Sequence, residues 1–162
     1  MYAKKMTLLG ALLATASAVH AAPLQVDFNV EAAIPATDFF VTPVNGWNAQ
    51  TQKMAWNAAT DSLDGFSQQL QMKNSGGSIK AYLSGQPVLS SAGGTDTIDL
   101  QVNIAGQTLP IDAASAVTLY NASEAATEKT ATLTVSQKAA GTKPTAGTYI
   151  GAVTMMFDTE AP

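Results

Sequence analysis

The chain contains no cysteine and no arginine, and its one histidine is His20. The absence of cysteine excludes disulfide staples, thiol nucleophiles and thiolate metal sites. Stability has to come from packing and strand pairing. Because His20 falls inside an apparent export signal, the exported part also lacks an imidazole. Ser-His-Asp and Cys-His catalysis and zinc chemistry are excluded by inventory. The carboxylates form no pair suited to glycoside hydrolysis. Asp61-x-x-Asp64-Gly65 and Asp96-x-x-Asp99 lack the ligand density of a calcium loop and read as turns. No catalytic residue, cofactor or metal ligand is therefore assigned. Outside the signal, six lysines face twelve carboxylates, a formal balance of −6. An acidic surface without arginine excludes nucleic acid as a partner. Charged residues make up only 12% of the chain; Ala, Thr, Ser, Gly and Gln dominate, as in β-rich structural proteins.

Residues 1–21 have the makeup of a secretory signal. Lys4 and Lys5 give a basic start, and Met6 to Val19 is apolar but too short to span a bilayer well, so no membrane insertion is expected. Val19 and Ala21 put small residues at the −3 and −1 positions of a cut after Ala21. A cut after Ala22 would place Pro23 beside the scissile bond. The remaining 141 residues suit one domain with a sizeable core.

That part begins with a regular pattern. Leu24, Val26, Phe28, Val30, Ala32 and Ile34 are apolar, and Gln25, Asp27, Asn29 and Glu31 between them are polar. This is the period of a strand with one buried face. Further alternating segments follow, separated by turn chemistry, which predicts a sandwich. Asp38 to Val41 reads as a strand ended by Pro43, Asn45-Gly46 as a turn, and Lys53 to Trp56 as a short strand. Asp61 to Gly65 is a turn. Phe66 to Lys73 is a strand with Phe66, Leu70 and Met72 on one face. Asn74 to Gly77 reads as a hairpin turn, since Asn and Gly tolerate positive φ. Ile79, Ala81 and Leu83 alternate up to a break at Pro87. Ile98, Leu100, Val102 and Ile104 alternate cleanly, and Ala105-Gly106-Gln107 turns into Thr108 to Ile111. Ala116 to Tyr120 reads as strand or helical turn, and Thr127 to Lys129 as a solvated loop. Ala131, Leu133 and Val135 mark another strand. After a Gly/Pro/Thr loop over Lys138 to Gly147, Thr148 to Phe157 is the final strand. It has Tyr149, Val153, Met155 and Phe157 on one face and Ile150, Ala152 and Met156 on the other, as though buried on both sides.

A hydrophobic strand edge has to be covered. Segment 24–34 can cover the terminal strand within one molecule, or the same segment of a neighbour can do so. The pattern alone leaves both open.

Ala146-Gly147-Thr148-Tyr149-Ile150-Gly151-Ala152-Val153 resembles the C-terminal strand of chaperone–usher pilins, with its Ala-Gly-x-Tyr-x-Gly-x-Val core. Together with Lys138 to Thr145, Ile79 to Leu89, Ile98 to Leu109 and Val26 to Pro35, it is similar to the alternate, alpha-class fimbrial major subunits of the colonisation-factor and cable-pilus type. The resemblance covers most of the exported chain and is weakest over residues 43–64. It implies an all-β, incomplete immunoglobulin-like β-sandwich completed by donor-strand complementation. The chain would then divide into a signal at 1–21, a donor segment at 22–35 and the sandwich at 36–162. The six alternating apolar residues 24–34 would be the donor strand. Tyr149, Val153, Met155 and Phe157 would line the acceptor groove. The implied partners are identical or related pilin subunits, a periplasmic chaperone, an outer-membrane usher and a host receptor. The implied location is the cell surface, reached through the periplasm.

The competing expectation is a self-complete secreted sandwich that binds carbohydrate by stacking on Trp47 or Trp56; core or inter-subunit packing is the plainer role for both rings. Asn121-Ala122-Ser123 fits a glycosylation triplet but reads as chance. A tip adhesin would need an added lectin domain, for which 141 residues leave no room.

Overall fold

The computed structural model describes residues 25, 28–32, 38–139 and 143–160. The chain divides between Ile34 and Pro35, and the sandwich lies wholly in the second unit. Its strands are β1 (Phe39–Pro43), β2 (Trp56–Asn57), β3 (Ser62–Leu63), β4 (Phe66–Asn74), β5 (Ser78–Leu83), β6 (Val88–Ser91), β7 (Thr97–Ile104), β8 (Gln107–Thr108), β9 (Val117–Tyr120), β10 (Lys129–Gln137), β11 (Tyr149–Ile150) and β12 (Met155–Glu160). One sheet has the order β1-β4-β10-β7-β6-β11, with β8 added to β7. The other has the order β12-β5-β9, and β2 pairs only with β3. All pairings are antiparallel.

Period-2 alternation decides which residues fill the space between the sheets. Leu70 and Met72 of β4, Ile79, Ala81 and Leu83 of β5, Leu100, Val102 and Ile104 of β7, and Ala131, Leu133 and Val135 of β10 form one buried cluster. These are the positions at which the sequence alternates most regularly. Ala105 (φ 51) and Gly106 (φ 80) form the two-residue loop joining β7 to β8, and both lie in the left-handed region such a hairpin requires. A short helix, α1 (Ala122–Ala125), follows β9. It is held by a capping box in which Asn121 accepts from the Glu124 amide while the Glu124 side chain accepts from the Asn121 amide. The apparent glycosylation triplet is thus a helix cap.

Several expectations are corrected. The Asn74–Gly77 segment does not close a hairpin, because β4 and β5 belong to different sheets. Its residues serve a crossover: Gly76 and Gly77 are absent from the positive-φ positions, and a Cβ at Gly77 would lie 2.2 Å from the Glu160 carbonyl oxygen. Close backbone approach, and not turn handedness, demands glycine there. Ser62–Leu63, expected within a turn, is a strand paired with Trp56–Asn57, which shifts the strand expected at Lys53 to Trp56. The strand expected at Thr108 to Ile111 shrinks to Gln107–Thr108, and Ile111 is 44% exposed. Lys129, expected in a loop, opens β10. Val88–Ser91, beyond Pro87, is a strand the alternation did not reveal.

Candidate functional site

The C-terminal segment is one bent strand made of β11 and β12, with residues 151–154 between them. It runs antiparallel to a matching bent pair. Met155 to Glu160 face Leu83 to Ser78 of β5, and Tyr149 and Ile150 face Ser91 and Ser90 of β6. Gly151 sits at the bend, where a Cβ would lie 2.1 Å from the Val88 carbonyl oxygen. On its other side this strand has no partner among the described residues, because both halves end their sheet orders. The second sheet's opposite end, β9, adjoins β8, so β12 lies on the side of the sandwich where β1 ends the first sheet.

These two edges bound an open cleft. Residues directly opposite in an antiparallel pair share a face. Phe39 and Val41 of β1 therefore face inward with their partners Asn74 and Met72, both buried. Met155 and Phe157 face inward with Leu83 and Ala81, also buried. Yet Val41, Val153, Met155 and Phe157 are only partly buried against the core, and Phe39 is 41% exposed. Inward-facing apolar side chains half-open to solvent mark a core that lacks one strand along this edge.

The far end of the cleft is pinned by polar contacts. The buried Asn74 amide donates to the Ser78 carbonyl (2.8 Å) and to Thr159 Oγ1 (2.5 Å), and its oxygen accepts from the Gly76 amide (3.0 Å). Lys80 pairs with Glu160. Asn74 thus ties β4, the crossover and β12 at the point where β1 begins. Asn74→Ala leaves the partly buried Gly76 amide and Ser78 carbonyl without this side-chain partner and is expected to cost about 2 kcal/mol. Chemical denaturation of the folded chain checks this.

The acceptor residues expected from the sequence fall on one face of this edge. Tyr149, Val153, Met155 and Phe157 are all half-buried. Tyr149 stands apart from the core cluster and donates its hydroxyl to the Thr145 carbonyl (2.8 Å). Partial burial, with the nearby Asp96 carboxylate, raises its pKa above the ordinary phenol value. The opposite face is not buried as expected: Ile150 is 74% and Met156 41% exposed. Phe39 and Val41, which no sequence signal tied to the terminal strand, form the other lip. Their alternation was visible; their neighbourhood depends on the sheet order.

Of the expected donor residues, Phe28, Val30 and Ala32 are exposed and belong to no strand. Leu24, Val26 and Ile34 lie outside the described residues, as do Ala21 and Ala22 of the expected cleavage site. Trp47 packs against the core and donates its indole N–H to the Gln69 carbonyl (2.9 Å). Trp56 is 36% exposed in the β2–β3 hairpin. No helix among the described residues is long and apolar enough to cross a membrane.

The fold and this edge define a class: an immunoglobulin-like sandwich of the pilin kind. Among solved structures, the CooA pilin subunit from enterotoxigenic Escherichia coli matches with a TM-score of 0.55 at 19% identity, covering 76% of this chain and 87% of that one. The CS1 type fimbrial major subunit family matches residues 24–158, and the chain belongs to that family. It is a structural subunit of a surface fimbria and not an enzyme. No curated protein matches the chain.

Proposed function

We propose that the chain polymerises head to tail by donor-strand exchange. Residues 22–35 of one subunit enter the cleft between β1 and β12 of the next, after a cut following Ala21 and transit through the periplasm. A periplasmic chaperone fills the cleft first, and an outer-membrane usher mediates the replacement. The fibre then supports adhesion through a host receptor.

The observation that carries this reading is the half-open, inward-facing apolar row of Phe39, Val41, Val153, Met155 and Phe157 along two unpaired edges. Strand addition suits it, with main-chain hydrogen bonds giving affinity and alternate side chains giving register. The lengths agree. Eleven residues, 24–34, extend to about 36 Å, and the twelve residues 149–160 extend to about 40 Å. Burying about five donor side chains at roughly 1.5–3 kcal/mol each contributes on the order of 10 kcal/mol before ordering costs. Such contact is heterologous and does not close, so it propagates as a filament. Pro35 ends the donor and directs the chain into its own sandwich.

Deletion of residues 22–34 tests the proposal, with the signal retained. The truncated subunit is expected to accumulate with its chaperone and form no fibres by electron microscopy. Fibres of normal length from the truncated chain would overturn the proposal.

A further inference from the structure

With no cysteine in the chain, its sulfur chemistry rests on methionine alone. Among the described residues methionine occurs as Met54, Met72, Met155 and Met156, and the sandwich holds them differently. Met72 is 0% exposed, within the core cluster. Met54 is partly buried against that cluster. Met155 and Met156 are neighbours at the start of β12, and the pleat turns them to opposite faces. Met156 lies opposite Tyr82 on the outer face and is 41% exposed. Met155 lies opposite the buried Leu83 and faces inward, yet it is only half-buried. Its exposure comes through the open cleft.

We propose that Met155 is an oxidation site for peroxides and that its sulfoxide closes the cleft to the donor strand. Susceptibility of a thioether to oxidation follows its exposure. The step transfers one oxygen atom. A lone pair of the Met155 sulfur attacks one oxygen of hydrogen peroxide, the O–O bond breaks and an S–O bond forms. The attacked oxygen gives its proton to the departing hydroxide, which leaves as water. Sulfur loses two electrons and the peroxide gains them. A flexible apolar side chain thereby becomes a polar one.

The consequence rests on the strand-exchange reading above. Phe39, Val41, Val153 and Phe157, which share the inward row with Met155, have no side-chain hydrogen-bond donor, and neither do the apolar residues of segment 24–34. A sulfoxide covered by them is buried without a side-chain partner, a penalty the thioether does not carry. The Met156 sulfoxide stays in water on the outer face and leaves the cleft unchanged. Order of events also matters. A seated donor strand covers Met155, so an occupied cleft keeps it reduced while Met156 still oxidises. Methionine sulfoxide reductases, one for each epimer, restore the sulfide, which makes the block reversible.

The test treats the whole exported chain with hydrogen peroxide, maps each methionine by mass spectrometry and titrates a peptide of residues 22–34 by calorimetry. Met155 and Met156 are expected to oxidise and Met72 to stay reduced. Peptide affinity is expected to fall roughly tenfold or more and to return after treatment with both reductases. Peptide added before the peroxide is expected to spare Met155 and not Met156, a footprint that needs no variant. Met155→Leu keeps size and apolarity and is expected to bind the peptide equally before and after peroxide. Met156→Leu is expected to lose affinity on oxidation as the unaltered chain does. An oxidised chain that binds as tightly as the reduced one, or a Met155→Leu chain that still loses affinity, overturns this proposal alone. A reduced chain that does not bind the peptide overturns the strand-exchange reading, and this proposal with it.

Discussion

A synthetic peptide of residues 22–34, added to the chain lacking that segment, is expected to raise its unfolding temperature by at least about 8 °C. At a peptide concentration one hundred times the dissociation constant, mass action contributes about 2.7 kcal/mol. In a domain of this size each kcal/mol shifts the midpoint by roughly 3 °C. The peptide is expected to order against Phe39, Val41, Val153, Met155 and Phe157, whose inward faces are half-open. Phe28 carries the largest donor side chain and is 81% exposed. A Phe28→Asp peptide would put a carboxylate against that apolar row and is expected to give no shift, because burying an unpaired charge outweighs the remaining contacts. Differential scanning calorimetry reads both outcomes. Equal shifts from the two peptides would show that the cleft does not select alternate apolar side chains.

Gly77→Ala is expected to be a strongly damaging small change in the sandwich. The added Cβ would meet the Glu160 carbonyl oxygen at 2.2 Å, with the Glu160 carbonyl carbon at 2.9 Å. Both are backbone atoms held by the β5–β12 ladder, so no flexible side chain can yield. β12 has to move off β5 at its C-terminal end, which also parts Thr159 from Asn74. The cost is about 3 kcal/mol from overpacking, added to the loss of a buried hydrogen bond. Urea unfolding measures it, and the same variant is expected to bind the 22–34 peptide poorly, because β12 is one wall of the cleft. Gly85→Ala is the matched control, since its Cβ would meet nothing within 4 Å.

The interior was legible wherever strict alternation met a buried face. Ile79, Ala81 and Leu83, Leu100, Val102 and Ile104, and Leu133 and Val135 were readable because a strand that buries one face repeats every second residue. Short pieces were not. Two-residue strands such as Trp56–Asn57 and Ser62–Leu63 have no period to detect, and their pairing is held by outside contacts such as the Leu63 amide on the Gln137 side chain (2.9 Å). Asn74–Gly77 was misread for a different reason: hairpin turns and sheet-to-sheet crossovers use the same residue types, and only the partner strands distinguish them.

The sequence by itself determined the class of protein and the faces of its strands. Lacking cysteine, the chain has packing and strand pairing, with no disulfides, as its means of stability. Alternation set which side of each strand is apolar, and Tyr149, Val153, Met155 and Phe157 of the terminal segment are half-buried while Ile150, Ala152 and Met156 are exposed. Tertiary structure decided what those faces border. Phe39 and Phe157 are over a hundred positions apart in sequence, and they become the two lips of one cleft through the order β1-β4 in one sheet and β12-β5 in the other. Strand periodicity carries no information about neighbours, because every strand offers the same ladder of N–H and C=O groups on both edges. Which edge stays open is fixed only when all the others have been taken.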